Sequence, residues 1–301
     1  MKRERYALVT PARNEEGYIE KTIESVLRQT IVPQKWIIVS DESTDRTDNL
    51  VGRYLDRYPF IQLMSAGLSQ KPEHKSFGSK VKAFQAGYRE LSSIPYDFVG
   101  NLDADVTFEP DYFEQVLEKF RANPKLGLAG GIILEFKEDR FVPQRMSLNS
   151  VAGAVQLFRR QAYEAFGGYI PLSSGGIDAA AEIMTRMHGW EVQTFPDIRV
   201  LHHRRVSTGS TTILGTKFRQ GTTNYLLGYH PLFQIASCFS RVIEQPYVVG
   251  SVAMLLGYGS ACLRRRQRAM PADVIKYLRT EQIRRMISSL DLRKANRSRW
   301  K

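Results

Sequence analysis

The sequence predicts an α/β fold in which a mostly parallel β-sheet is flanked by helices. Four short apolar segments that suit buried strands alternate with three segments whose apolar residues recur at helical spacing. Polar and acidic residues follow directly after three of these strands, at the edge where parallel sheets bind ligands. With 301 residues, of which 43% are hydrophobic, the chain can form one large or two modest domains.

The first third of the chain supplies this alternation in order. Asn14 is expected to cap the first helix, with Glu15 in the first turn, where the helix dipole favours an anion. The predicted strands cover residues 6–10, 35–40, 60–64 and 96–102, and the predicted helices cover 19–27, 46–55 and 80–91.

Two carboxylates, Asp103 and Asp105, follow the fourth strand. Residues two apart on an extended chain point the same way, so both carboxylates can address one point in space. Such a close pair of like charges is costly unless a cation lies between them or one is protonated, and a hard divalent ion that also binds substrate phosphates suits the pair. The alternative is an ordinary polar loop, because Asp-x-Asp is a common pattern.

Two further polar sites lie at the same edge of the predicted sheet. Pro11–Asn14 follow the first strand and Asp41 follows the second. No Gly-x-Gly-x-x-Gly motif follows the first strand and no Gly-x4-Gly-Lys-Ser/Thr motif occurs, which excludes the usual dinucleotide and P-loop sites. Three polar sites on one edge strengthen the case for a ligand at Asp103 and Asp105.

Four motifs at these positions resemble those of family 2 glycosyltransferases, which have the GT-A fold. The second motif departs from the family pattern at Ser40 and Glu42, and Gln85 stands where the family commonly has Asn. The resemblance covers residues 6 to about 205. The motifs are Val9–Glu15 (VTPARNE), Val39–Thr47 (VSDESTDRT), Gly78–Gly87 (GSKVKAFQAG) and Leu102–Asp105 (LDAD).

The resemblance implies an inverting sugar transfer from a nucleotide-sugar, with a UDP-sugar favoured. Asp105 would bind Mg²⁺ or Mn²⁺, and Asp103 would contact the ribose or metal-bound water. The family pattern divides the chain into a GT-A catalytic domain (1–229, with a nucleotide-binding half 1–106 and an acceptor half 107–229) and a helical extension (230–301). The residues expected to bind the donor are Pro11, Ala12, Arg13, Asn14, Glu15, Asp41, Lys80, Asp103 and Arg219.

Asp178 is the predicted general base that takes the proton of the acceptor hydroxyl. It corresponds to the second residue of a Glu-Asp pair in the family, and Ile177 replaces the first. Glu182, one helical turn later, is the second candidate. A helix-capping role for Asp178 remains open, because a carboxylate is favoured near a helix N-terminus in any case.

His202 and His203 end an apolar strand at the place where some family members have a metal-binding histidine. Adjacent residues on a strand face opposite sides, so at most one of them is expected to bind the metal. The basic residues that follow could clamp the diphosphate or form a solvated face; they are Arg204, Arg205, Lys217 and Arg219.

The C-terminal region predicts association with an anionic membrane surface. The chain has a net charge of +12, and residues 264–301, with 13 Lys/Arg and 3 Asp/Glu, contribute most of it. Residues 246–263 carry no charge, and a single crossing there would place Arg264 outside, against the positive-inside rule. A re-entrant or interfacial segment is therefore expected, with a basic amphipathic helix at 272–290. The alternative is ordinary packing on the catalytic domain or, as a homo-oligomer, on a second subunit.

The cellular location expected from the sequence is the cytoplasmic face of the membrane. Two cysteines, Cys238 and Cys262, form no disulfide framework and indicate a reducing compartment. The apolar run after the N-terminus breaks at Pro11, which is too short for a signal-peptide core.

The predicted activity is therefore transfer of a sugar to a saccharide or lipid-linked acceptor in cell-surface polysaccharide synthesis. A nucleotidyltransferase is one alternative, but it would need a basic glycine-rich loop after the first strand. A nucleic-acid-binding protein that uses the basic tail is another, but the chain has no recognisable nucleic-acid motif, so no nucleic-acid partner is predicted.

Overall fold

A computed structural model describes residues 4–67, 77–137, 139–172, 175–204, 212–241 and 247–298, with the backbone alone for residue 77 and for 289–298. The strands are β1 (Tyr6–Ala12), β2 (Lys35–Ser40), β3 (Ile61–Ser65), β4 (Phe98–Leu102), β5 (Val106–Phe108), β6 (Leu126–Lys137), β7 (Arg140–Pro143), β8 (Val155–Arg159) and β9 (Glu191–His202). The helices are α1 (Ile19–Leu27), α2 (Thr47–Leu55), α3 (Phe77–Glu90), α4 (Tyr112–Ala122), α5 (Arg160–Ala165), α6 (Ile177–Met187), α7 (Ile213–Leu227), α8 (Pro231–Ser240), α9 (Tyr247–Leu263) and α10 (Ala272–Ser298).

The chain divides into two compact units, Met1–Val206 and Ser207–Lys301. The sequence placed the end of the catalytic domain later, at residue 229. The difference comes from α7, which packs on α9 and so belongs with the C-terminal helices.

The first unit contains one mixed sheet, in the order β3-β2-β1-β4-β8-β6-β9-β5, with β7 paired to β6. The first four strands pair in parallel as expected, and Val9 aligns with Ile37 on one side and with Asn101 on the other. Antiparallel pairing begins at β8, which lies between β4 and β6. The parallel strands therefore bring the ends of β1, β2 and β4 to one edge.

Alternation along the buried strands builds a core on each face of the sheet. Tyr6 and Leu8 of β1 join the cluster that α1, α2 and α4 cover. Ala7 and Val9 face the opposite side, where Phe84 of α3 contributes to the second cluster. Because both faces of the sheet are covered by helices, a ligand can reach the sheet only at the loops that follow the strand ends.

The second unit consists of α7–α10. The α7–α9 contact is so close that a Cβ on Gly221 would lie 1.9 Å from the carbonyl oxygen of Met254. The predicted helix at 272–290 forms as part of α10, and its Val274 and Leu278 are buried. Among the helices of the described residues, none is long and apolar enough to cross a membrane.

Candidate active site

A cavity of about 380 Å³ opens at the carboxyl ends of β1, β2 and β4. Its volume falls in the range of small-molecule sites. The structure brings every predicted donor-binding residue except Arg219 to this cavity. Its lining comprises Pro11, Ala12, Arg13, Asn14, Glu15, Asp41, Ser79, Lys80, Asp103, Ala104, Asp105 and Arg204.

Asn14 connects the loops that follow β1 and β2. Its φ of 55° is left-handed, and its Oδ1 accepts a 2.8 Å hydrogen bond from the backbone N–H of Thr44. The expected helix cap at Asn14 is wrong, because α1 begins only at Ile19. The side chain instead fixes one loop against the other and shapes this side of the cavity.

Arg13 and Asp41 lie beside this junction. The Nη1 atom of Arg13 is 3.5 Å from Oδ2 of Asp41, whose side chain is almost fully buried. The backbone N–H of Asp41 donates to the carbonyl of Ala12 at 2.8 Å, which fixes the position of the carboxylate. A buried carboxylate held in this way can accept hydrogen bonds from a base or ribose.

Lys80, in the first turn of α3, pairs with Asp103. Its Nζ lies 2.5 Å from Oδ1 of Asp103. Burial raises the pKa of Asp103, and the charge of Asp105 adds to this rise while Lys80 opposes it. Burial alone would lower the pKa of Lys80, but the Asp103 carboxylate more than offsets this and raises it. The two groups thus form an ion pair in the lining of the cavity.

Asp105 is held differently. Its Oδ2 accepts a 2.8 Å hydrogen bond from Nε of Arg204, whose Nη2 also contacts Glu15. The Nε2 atom of His202 is 3.3 Å from Oδ1, close enough for an ion pair when the imidazole is protonated. Burial opposes ionisation of Asp105, but His202 and Arg204 together hold its pKa below the usual value.

Glu15 lies in the same charge cluster. Burial raises the pKa of Glu15 to about 7, although Arg204 lowers it. Arg204 thus bridges two carboxylates that come from the first and the fourth strand ends. Neither this bridge nor the Lys80–Asp103 pair was apparent from the motifs.

His203 is turned away from Asp105. Its Nε2 lies 2.8 Å from Oγ1 of Thr107, and its ring packs edge-on against Phe141. Only its backbone N–H reaches toward the site, donating to the carbonyl of Asp105. Of the two histidines proposed as metal ligands, His202 is the one whose ring addresses the carboxylate.

The residues at Asp105 fit a divalent cation that binds phosphate. Within the described residues, the buried Oδ1 atom of Asp105 has no hydrogen-bond partner. A carboxylate oxygen beside an imidazole is a donor set that Mn²⁺ accepts. No group of three or more His, Cys, Asp or Glu side chains is assembled for a metal among the described residues. A cation here would therefore take its remaining ligands from the donor and from water.

Asp178 lies near the cavity but does not line it. It lies in the first turn of α6. Gly176, which precedes this helix, has a φ of 83° and so adopts the left-handed conformation that favours glycine. A Cβ on Gly153 would be 3.3 Å from Oδ2 of Asp178. The carbonyl of Gly153 in turn accepts a 2.7 Å hydrogen bond from Asn101, which precedes the Asp-x-Asp pair. Asp178 is therefore adjacent to Gly153, which is hydrogen-bonded to the end of β4 just before the Asp-x-Asp pair.

Glu182 has a different environment. Its Oε1 accepts hydrogen bonds from Oγ of Ser150 and from the backbone N–H of Val151, both at 2.8 Å. Burial raises its pKa to about 7. Glu182 therefore stabilises the segment before β8 through these hydrogen bonds, and its Oε1 is already occupied. Asp178 is for this reason the stronger of the two candidates for the base.

Some predicted residues are not brought to the cavity within the first unit. Lys217 and Arg219 belong to α7 in the second unit, and Arg205 lies outside the described residues. Ser79 and Ala104 were not anticipated as lining residues. The one feature of the sequence that could have indicated these two residues is that each is adjacent to a predicted site residue.

The chain belongs to glycosyl transferase family 2, because the model of that family matches residues 7–175. Chondroitin synthase of Pasteurella multocida (strain Pm70) is 23% identical over 219 residues, which is 68% of this chain and 21% of that protein. Poly-beta-1,6-N-acetyl-D-glucosamine synthase of Staphylococcus aureus (strain MSSA476) is 30% identical over 118 residues, 39% of this chain and 26% of that protein. The chain thus spans about a quarter or less of the length of these relatives.

Solved structures confirm the GT-A fold expected from the motifs. Mannosyltransferase PcManGT from Pyrobaculum calidifontis, in complex with GDP-Man and Mn²⁺, superposes with a TM-score of 0.56 and 17% identity, covering 99% of this chain and 83% of that one. S. aureus TarS 1-349 in complex with UDP gives a TM-score of 0.54 and 13% identity, covering 84% and 70%. Family membership favours sugar transfer over the nucleotidyltransferase and nucleic-acid-binding alternatives.

Proposed function

We propose that this chain is a metal-dependent, inverting glycosyltransferase that moves a sugar from a nucleotide-diphosphate donor to a saccharide or lipid-linked acceptor. The observation that carries the proposal is the buried Oδ1 of Asp105, which among the described residues has no hydrogen-bond partner and lies 3.3 Å from Nε2 of His202 in a cavity built from the family motifs. A buried carboxylate oxygen without a partner is costly, and a bound cation relieves that cost.

The donor would bind along the strand ends. Asp41 and the Pro11–Asn14 loop would accept and donate hydrogen bonds to the base and ribose, as their burial and fixed geometry allow. A UDP-sugar is the first donor to test, because TarS was solved with UDP-GlcNAc. GDP-mannose is the second, since PcManGT was solved with GDP-Man.

The diphosphate would lie between Lys80 and Arg204. Both cations already neutralise the carboxylates that line this part of the cavity. Phosphate oxygens accept hydrogen bonds from ammonium and guanidinium groups, so both residues can hold the leaving nucleotide as its charge grows. Arg204 would then exchange its contact with Asp105 for one with phosphate.

Asp105 and His202 would hold the cation, which as a Lewis acid stabilises negative charge on the leaving diphosphate. Asp103 would keep its contact with Lys80 through Oδ1 and would contact the ribose through its other oxygen. These roles agree with the geometry of the two carboxylates, because among the described residues Asp105 has a buried oxygen without a hydrogen-bond partner, whereas Oδ1 of Asp103 is bonded to Lys80.

Inversion requires that the acceptor hydroxyl attack from the face opposite the leaving group, with a base to take its proton. Asp178 would be that base, since it lies against Gly153, whose carbonyl accepts a hydrogen bond from Asn101 just before the Asp-x-Asp pair. We further propose that the enzyme acts in polysaccharide synthesis at a membrane surface, as the apolar and basic C-terminal region suggests.

A donor screen tests this function. The full chain is incubated with UDP-sugars and GDP-mannose, with and without Mn²⁺, while nucleotide release and thermal stabilisation are measured. We expect one donor to raise the melting temperature and to be hydrolysed slowly only when Mn²⁺ is present. The absence of both effects for every nucleotide-sugar, with the folded state verified by circular dichroism, would contradict the proposal.

A further inference from the structure

Helix α9 exposes several of its aliphatic side chains, with Leu256 61% and Leu263 86% exposed. Its inward face combines the small residues Gly250, Gly257 and Ala261 with the larger Met254 and Tyr258, all buried. A Cβ on Gly257 would lie 2.0 Å from the carbonyl oxygen of Phe218 on α7. The two helices therefore approach closely at small residues, while Val252, Leu256 and Leu263 of α9 remain exposed.

Helix α8 shows the same inversion. Leu232, Ile235 and Phe239 recur at helical spacing and are exposed, and Phe239 is 73% exposed. The opposite side carries Gln234 and Cys238, which are buried. Polar residues thus occupy the inside of this helix and apolar residues the outside.

Hydrogen bonds satisfy the buried polar groups. The side-chain amide of Asn224 on α7 donates to Oε1 of Gln234 at 2.9 Å. The hydroxyl of Ser251 on α9 donates to the carbonyl of Cys238 at 2.9 Å. The three helices are therefore joined by polar contacts and small residues, beside a small apolar cluster in which Tyr225 of α7 packs on Tyr258 of α9.

The exposure of these apolar side chains on α8 and α9 is unfavourable in water. A contiguous set of exposed apolar residues marks an interaction or membrane surface. Helices that pack in lipid join through small residues and interhelical hydrogen bonds, because apolar side chains gain nothing by leaving hydrocarbon. Both features occur together in α8 and α9.

We propose that the outward sides of α8 and α9 insert into one leaflet of an anionic bilayer. The helices would lie in the plane of the leaflet, because neither is long and apolar enough to cross it. We name this surface the outer face and define it by Leu232, Ile235, Phe239, Val248, Val252 and Leu256.

Charge favours lipid over a second copy of the chain. Arg264, Arg265 and Arg266 follow α9 directly and are exposed. Among the described residues, their side chains form no ion pair. Anionic headgroups would complement these arginines, with each one near the surface adding to the attraction. A second copy would bring the same positive charge.

The outer face includes α9, where the sequence predicted a re-entrant or interfacial segment, but not the apolar side of the predicted helix at 272–290. The basic amphipathic helix was expected to bind the membrane through the apolar side of α10. In the structure Val274 and Leu278 of that side are buried within the unit. The inference deepens the membrane association proposed above but does not depend on the sugar chemistry.

Vesicle flotation of the full chain tests the outer face. The Val252→Asp/Leu256→Asp variant is compared with Val32→Asp, which adds a charge at an exposed apolar residue of the first unit. On vesicles of phosphatidylcholine and phosphatidylglycerol we expect the double variant to lose more than about tenfold in partitioning. We expect the Val32→Asp control to match wild type. Equal binding by all three proteins would overturn the proposal.

Two further measurements keep the test independent of folding and of oligomerisation. A polarity-sensitive fluorophore on exposed Cys262 of the wild-type chain should shift to the blue when these vesicles are added. No shift would overturn the proposal.

Light scattering in the absence of lipid should show that the double substitution leaves the oligomeric state unchanged. A dimer that the substitution dissociates, without vesicle binding by wild type, would assign the outer face to a second copy. Nucleotide-sugar hydrolysis without vesicles tests the proposed function separately.

Discussion

The ammonium group of Lys80 lies 2.5 Å from Oδ1 of Asp103, whereas Oδ1 of Asp105 has no hydrogen-bond partner among the described residues. Two carboxylates two residues apart are therefore in different states. The pKa of Asp103 is raised, mainly by burial, and that of Asp105 is lowered, because His202 and Arg204 outweigh its burial. When their surroundings shift the pKa values of two neighbouring carboxylates in opposite directions, the two groups commonly have different roles.

Lys80→Met should weaken nucleotide binding by about tenfold or more, because it removes a cation from the diphosphate and leaves Asp103 unpaired. Titration calorimetry with UDP measures the affinity. Lys82→Met is the matched control, since Lys82 is exposed on the same helix and does not line the cavity. Equal losses in the two variants would mean that Lys80 acts only through net charge.

His202→Ala should weaken Mn²⁺ binding by about tenfold or more, because it removes the imidazole beside Asp105. His203→Ala should leave the affinity nearly unchanged, since that ring contacts Thr107 and Phe141 instead. Electron paramagnetic resonance of free Mn²⁺, with the protein and the metal alone, distinguishes the two. A larger effect at His203 would reverse this assignment.

Asp178→Asn should reduce the turnover number for sugar transfer by about 10² to 10⁴, because the acceptor hydroxyl loses its base. Donor affinity should be retained, since Asp178 does not line the cavity. Steady-state kinetics with the identified acceptor, alongside calorimetry with the donor, separates the two effects. A helix-capping role alone would lower the melting temperature and leave turnover per folded molecule intact.

Glu182→Gln should change how stability depends on pH. Burial raises the pKa of Glu182 from 4.5 to about 7, while Arg186 opposes the rise and Asp178 adds to it. Between these values the folded state binds more protons than the unfolded state, so this group makes the protein less stable as pH rises through that window. The wild type should therefore lose up to about 3 kcal/mol relative to the variant.

Urea unfolding at several pH values measures this difference. Glu118→Gln, at an exposed position of α4, is the control and should follow the wild type at every pH. A wild-type curve parallel to that of Glu182→Gln would show that Glu182 titrates normally.

The parallel part of the fold and most of the cavity could be predicted from the sequence, since both follow from local pattern. Val9 and Ile37 lie in short apolar runs that alternate with helical segments, and Asp41 ends such a run. Parallel pairing then brings the strand ends together without further information.

The contacts across the cavity could not be predicted in this way. Arg204 meets Glu15 from a distant part of the chain, and the orientation of β9 alone decides which histidine faces Asp105. Asn14 has the composition of a helix cap, but tertiary contact with Thr44 holds it in a left-handed loop. The tertiary hydrogen bond between the two loops therefore outweighs the local preference of Asn14 for a helix N-cap.

The C-terminal helices show a similar limit. Apolar periodicity predicted the helix at 272–290, and the uncharged run at 246–263 marked an apolar segment, but neither pattern could reveal which side of a helix would pack. Burial of Val274 and exposure of Leu256 depend on contacts between helices, and the small residues of α9 decide them.

The most direct test of the central claim is the dependence of UDP binding on Mn²⁺ in Asp105→Ala. Calorimetry of the wild type should show UDP binding that is strengthened at least about tenfold by Mn²⁺, and the variant should lose that dependence. Asp111→Ala, at an exposed position before α4, should behave as wild type. Retention of Mn²⁺-dependent UDP binding by Asp105→Ala would contradict the assignment of Asp105 as the residue that holds the metal.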